Sequence, residues 1–92
     1  MIIAAIPVKN QLRYTAPLIE SLLIGDEIDE IWLYDNGSTD STRSWAEHKT
    51  KYDNRMQYKD AAGMRLYDMW NNMVTRAANI GGVKLAILNN DI

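Results

Sequence analysis

Glu30-Ile31-Trp32-Leu33-Tyr34 runs directly into Asp35-Asn36-Gly37-Ser38-Thr39-Asp40. The first segment is short, β-branched and aromatic, as a strand requires. The second is turn chemistry. Asn-Gly reaches positive φ at little cost, and Asp40 or Ser41 can cap a helix that follows. A strand that ends in a polar turn and opens a helix is the repeating step of an α/β fold.

The same step recurs on both sides. Ile2 to Ile6 is a continuous apolar run closed by Pro7, which predicts a buried first strand. Lys9, Asn10 and Gln11 form a polar loop. Thr15 is the expected N-cap of a first helix with Pro17 in its opening turn, Leu18, Ile19, Leu22 and Leu23 on its apolar face, and Gly25 as its stop. A second helix runs through Arg43, Trp45 and Glu47 to about Lys49, with a thin apolar face. Arg55 to Lys59 reads as a short third strand and Asp60 to Gly63 as a loop. From Arg65 onward, Leu66, Met69, Trp70, Met73, Val74 and Ala77 recur at three- and four-residue spacing, the pattern of an amphipathic helix. Asn79-Ile80-Gly81-Gly82 ends it, and Val83 to Leu88 forms a fourth apolar strand. The order β-α-β-α-β-α-β predicts a parallel sheet with right-handed crossovers.

Composition narrows the function. With 92 residues, 47% hydrophobic and 24% charged, the chain forms a single domain spanning 1–92. A net charge of −2 and no basic run argue against nucleic acid as a partner. The absence of cysteine removes disulfide scaffolds, zinc ribbons and thiol catalysis. No run is long enough for a membrane span, so the expectation is a soluble, cytoplasmic chain. Trp32, Trp45 and Trp70 are expected in the core, and His48 on a solvated helix face. Met64, Met69 and Met73 read as core gap filler, and Asp26, Glu27, Asp29 and Glu30 as a solvated loop.

Ligands of open α/β sheets bind beyond the carboxyl ends of the strands. Those ends carry Pro7, Val8, Lys9 and Asn10, then Asp35 to Ser38, then Asn89, Asn90 and Asp91. Neither GxGxxG nor GxxxxGK[ST] occurs. A phosphate site without a glycine cradle needs another positive charge. A divalent cation held by a carboxylate such as Asp91 is the usual source.

At this point the residues resemble a family. Asp35-Asn36-Gly37-Ser38-Thr39-Asp40-Ser41-Thr42 after a hydrophobic strand is similar to the D-D-G-S-T-D-x-T signature of family 2 glycosyltransferases. Pro7-Val8-Lys9-Asn10 is similar to their P-x-x-N ending, and Gly63 followed by Trp70-Asn71 to their N-x-G-x-x-x-A-x-N segment. Leu88-Asn89-Asn90-Asp91 resembles the D-x-D motif with Asn for the first Asp. The resemblance implies a partial GT-A fold: a Rossmann-like three-layer α/β/α domain with a four-stranded parallel sheet in order 3-2-1-4. It also implies a nucleotide-diphosphate sugar as ligand, UDP- or GDP-linked. Pro7, Val8 and Lys9 would line the base and ribose. Asp35 with Asn36 would hydrogen-bond base or ribose, Arg65 would approach base or phosphates, and Asn90 would hold sugar hydroxyls. Asp91 would ligate Mg²⁺ or Mn²⁺.

Three residue departures stand out. Asn36 replaces an acid, Lys9 stands where the family often has an aromatic that can stack on the base, and Asn89 removes a charge from the metal motif. Members of the family continue past the D-x-D motif into an acceptor site and a catalytic base, so the resemblance assigns no catalytic residue here. It implies the donor-binding half of such an enzyme, incomplete for transfer alone. The fourth strand would then lie at an open sheet edge, and such edges invite pairing. The expected partner is a second copy in a homo-oligomer, or a chain supplying the acceptor half. The alternative is a non-catalytic nucleotide-binding remnant or assembly module using that edge.

Overall fold

The computed structural model describes residues 1–88. Among them the elements are β1 (Ile2–Val8), α1 (Leu12–Ile24), β2 (Glu30–Asp35), α2 (Thr42–Tyr52), β3 (Met56–Asp60), α3 (Leu66–Ile80) and β4 (Lys84–Ile87). All strand pairs are parallel and the sheet order is β3-β2-β1-β4. The fold class and strand order expected above therefore hold.

Alternation along the strands builds two cores. Ile3, Ala5, Trp32 and Tyr34 face α3, where Met69, Met73 and Ala77 cover them. Ile6, Val8, Ile31, Leu33 and Met56 face the other way, against Ile19 of α1 and Ala46 of α2. The central strands β1 and β2 are buried on both faces, which explains their unbroken apolar sequence. No helix among the described residues is long and apolar enough to cross a membrane.

Several local expectations are corrected. Helix α1 begins at Leu12, not after Thr15. Asn10 (φ 60) and Gln11 (φ 64) both take left-handed backbone and turn the chain early. Thr15 is consequently a buried helical residue whose hydroxyl donates to the Gln11 carbonyl at 3.2 Å. Pro17 falls inside the helix, beyond its first turn. There its missing N–H leaves the carbonyl four residues back without a helical donor. Trp70 is not core: it is 48% exposed. Trp45 is half-buried against the α1–α2 core, and exposed His48 rests on the Tyr52 ring. Two of the acids read as a solvated loop are bonded. The Asp29 carboxylate accepts from the Ile2 N–H at 2.7 Å, and Glu30 accepts from Trp32 Nε1 and from Gln57 Nε2.

Arg55 has a role that its place in the sequence does not announce. Its guanidinium donates to the carbonyls of Leu23 and Gly25 at the end of α1, and it pairs with Asp53. A cation at a helix C-terminus satisfies orphan carbonyls and complements the helix dipole.

Two neighbouring positions on α3 test how the helix packs. Met73 is fully buried and Val74 is 54% exposed. Met73→Ala should lower stability by about 2–5 kcal/mol. Val74→Ala should stay within about 0.5 kcal/mol. Urea unfolding of the two variants checks both values.

Candidate functional site

The strand order reverses between β1 and β4, since β2 and β3 lie to one side of β1 and β4 to the other. Such a switch point leaves a crevice at the carboxyl ends of the strands. Pro7 marks it. The Leu88 N–H donates to the Ala5 carbonyl at 2.9 Å, and the next bond from β1 toward β4 would need an N–H at Pro7. Proline has none, so the β1–β4 ladder cannot be carried further from β1. On the other side, β1 and β2 stay paired to their ends, with Pro7 opposite Tyr34 and Val8 opposite Asp35.

Two loops meet above these ends, and Asn10 joins them. Its side-chain carbonyl accepts from the Thr39 N–H at 2.8 Å and the Asp40 N–H at 3.1 Å, while its own N–H donates to Ser38 Oγ at 2.8 Å. Left-handed backbone suits asparagine better than most residues, so the same residue supplies both the turn and the tie. Asp40 extends the junction. One carboxylate oxygen accepts from the Thr42 N–H and hydroxyl, the other from the Leu12 N–H at 3.4 Å. One acid thus serves the first residues of both α1 and α2. The Thr42 hydroxyl, foremost, holds its carboxyl below the usual carboxylate range.

Asp35 lies at the end of β2 and is buried. One oxygen accepts from the Tyr58 hydroxyl at 2.7 Å, the other from the Ser38 N–H at 3.0 Å. Tyr58 comes from β3 on the same face of the sheet. Burial first, then the bond to Asp35, push its phenol well above the ordinary tyrosine range, so it remains a donor. Each carboxylate oxygen keeps a further lone pair.

Asn36 explains its own departure from an acid. Its amide nitrogen donates to the carbonyls of Ala61 at 2.8 Å and Met64 at 2.6 Å, fastening the loop between β3 and α3 to the end of β2. A carboxylate offers no donor for either carbonyl. The Asn36 side-chain oxygen has no partner among the described residues and remains an open acceptor. Gly37 beside it holds φ 77 and packs against Ala62.

Of the other residues singled out from sequence, Lys9 is exposed at the loop crest and Pro7 is partly covered. Arg65 stands at the N-cap of α3 with its side chain 79% exposed, and the Asp68 carboxylate accepts from both its backbone N–H at 3.3 Å and its guanidinium. It therefore lies at the same end of the sheet. Asn90 and Asp91 lie outside the described residues. Among the described residues no three His, Cys, Asp or Glu side chains converge as a metal cage. Sequence reasoning missed Tyr58 and the tying role of Asn10. The signal for Tyr58 was present, because β3 aligned beside β2 sets it near the end where Asp35 sits.

Two predictions follow from these bonds. Asn36→Asp should cost about 1–3 kcal/mol in chemical denaturation, because two carbonyls lose their donor and face a charge. Asp40 has a depressed folded value, so its contribution is present above the unfolded carboxylate pKa and is lost as pH falls through the folded one. Asp40→Asn should therefore lower stability at neutral pH and flatten the acid limb below about pH 4. Thermal melts from pH 7 to pH 2 read both effects.

No curated protein matches this chain. The sequence model of Glycosyl transferase family 2 matches residues 3–77, which takes in β1, the joined loops, β2 and most of α3. By that match across most of its length, and with the parallel 3-2-1-4 sheet that it folds into, the chain belongs to glycosyl transferase family 2.

Proposed function

We propose that this chain binds a nucleotide-diphosphate sugar at the carboxyl ends of β1 and β2, for transfer of the sugar to an acceptor hydroxyl. The observation that supports this reading best is the switch point. Pro7 leaves the β1 side of the crevice without a ladder donor, while Asn10, Asp40 and Asn36 hold three loops around it. Helices α1, α2 and α3 all begin at this end of the sheet. Their N-terminal dipoles favour a diphosphate.

In this reading Pro7, Val8 and Lys9 flank the base and ribose. The open acceptor of Asn36 takes a base N–H, and Asp35 offers its remaining lone pairs beside it. Arg65 can leave Asp68 for a phosphate, since an exposed ion pair contributes little. Asn90 holds sugar hydroxyls through its amide. Asp91 would hold Mg²⁺ or Mn²⁺, and such an ion supplies charge neutralisation for the departing diphosphate.

A second reading keeps the fold as an assembly module. Strand β4 pairs with β1 on one side, and its residues alternate between exposed and half-buried. A two-fold dimer through this edge would show as a doubled mass in sedimentation equilibrium, and a monomer at all concentrations would count against it.

Calorimetric titration of the 92-residue chain with UDP and GDP, with and without Mn²⁺, tests the first reading. The expected result is binding that needs the metal and is lost in Asp91→Ala. Failure of either nucleotide to bind under any of these conditions would reject nucleotide recognition by this chain.

A further inference from the structure

The face of the sheet opposite Asp35 carries a second cluster that the reading above does not use. Helix α3 covers β1 and part of β2, and between its flank and β3 runs an open groove of about 490 Å³. Lys59, Asn72, Thr75, Arg76, Asn79 and Ile80 line it.

The Arg76 guanidinium is held in advance. It lies 3.9 Å from the centre of the Trp32 ring and donates to Gln57 Oε1. The Gln57 amide is itself oriented by Glu30, which accepts from Gln57 Nε2 at 2.9 Å and from Trp32 Nε1 at 2.8 Å. An arginine stacked on an aromatic face and fixed at one N–H keeps its other donors ready at low entropic cost. Asn72 is also oriented. Its side-chain oxygen accepts from the Tyr34 hydroxyl at 2.5 Å, which orients the amide and leaves both its N–H donors available.

Neither Lys59 nor Arg76 forms an ion pair among the described residues, as is also true of Lys9, Arg13, Lys51 and Lys84; what sets these two apart is that both line one groove. A fixed guanidinium, a lysine ammonium and the amide N–H groups of Asn72 give the groove a cluster of donors. Glu30 stands behind Gln57 as its orienting acceptor.

We propose that this groove binds the dianionic phosphate of a phosphate monoester, with Arg76 as the two-pronged contact, Lys59 as the second charge and Asn72 as a neutral donor. A phosphate has three acceptor oxygens and a charge that matches two cations, which a carboxylate does not.

The test is an NMR titration of the ¹⁵N-labelled chain with inorganic phosphate, against acetate and chloride at equal ionic strength. The expected result is saturable movement of the Arg76 Nε–H and Asn72 side-chain signals with phosphate. Acetate should bind about tenfold more weakly, and Lys59→Gln should weaken phosphate about tenfold. Arg76→Lys keeps the charge but loses the fork, and should weaken phosphate as well. Lys59→Gln alters one side chain at the groove rim and leaves the core intact, so its backbone spectrum reports whether the fold is kept. Equal, non-saturating shifts with all three anions would overturn the proposal. So would phosphate binding unchanged in Lys59→Gln, or acetate binding as tightly as phosphate. Nucleotide titration of the same variant stands apart, because Lys59 lies outside the residues assigned to the nucleotide.

Discussion

The side chain of Asn10 is the point on which the candidate site depends. It holds the loop after β1 to the loop after β2 through two backbone N–H donors, and its left-handed backbone starts α1 early. Without that tie, Asp40 would not stand between the first turns of α1 and α2, and the two helices would lose a shared acceptor. Backbone N–H groups at helix starts have no partner within the helix. Here side chains of neighbouring loops supply several of them, so the end of the sheet is built as one unit.

The two faces of the sheet are used differently. On the α1–α2 face, buried Asp35 and half-buried Tyr58 form a pair at the end of the strands, with the Ser38 N–H donating to the other Asp35 oxygen. On the α3 face, polar groups line the flank next to β3, and Trp32 serves both as core and as the platform for Arg76. A single helix cannot cover four strands, and the strand left over on that face carries Gln57 and Lys59 in place of apolar residues. The exposed side of α3, with Tyr67, Trp70 and Val74, lies on the other flank.

Much of this was legible in the sequence because it rests on short-range chemistry. Apolar runs marked the strands, although β1 runs through Pro7 to Val8 where the sequence predicts its end at Pro7, and Gly25 and Gly81 ended helices at the expected places. The start of α1 was hidden, since nothing in Gln11 signals left-handed backbone. Thr15 is a good N-cap residue that instead bonds within the helix. Trp70 misled because periodicity shows that a helix has an apolar stripe but not how much of the stripe is covered. Leu66, Trp70 and Val74 fall on the uncovered edge, and Met69, Met73 and Ala77 meet the sheet. The bonds of Arg55 to the end of α1 and of Gln57 to Glu30 join residues far apart in the chain, and local sequence does not encode them.

The most direct test of the account is amide hydrogen exchange along the chain with and without UDP and Mn²⁺. The account predicts slowed exchange at residues 8–10 and 36–40, the two loops joined by Asn10, with little change on the outer side of α3. Binding accompanied by no protection in either loop, or by protection confined to the groove between α3 and β3, would contradict it.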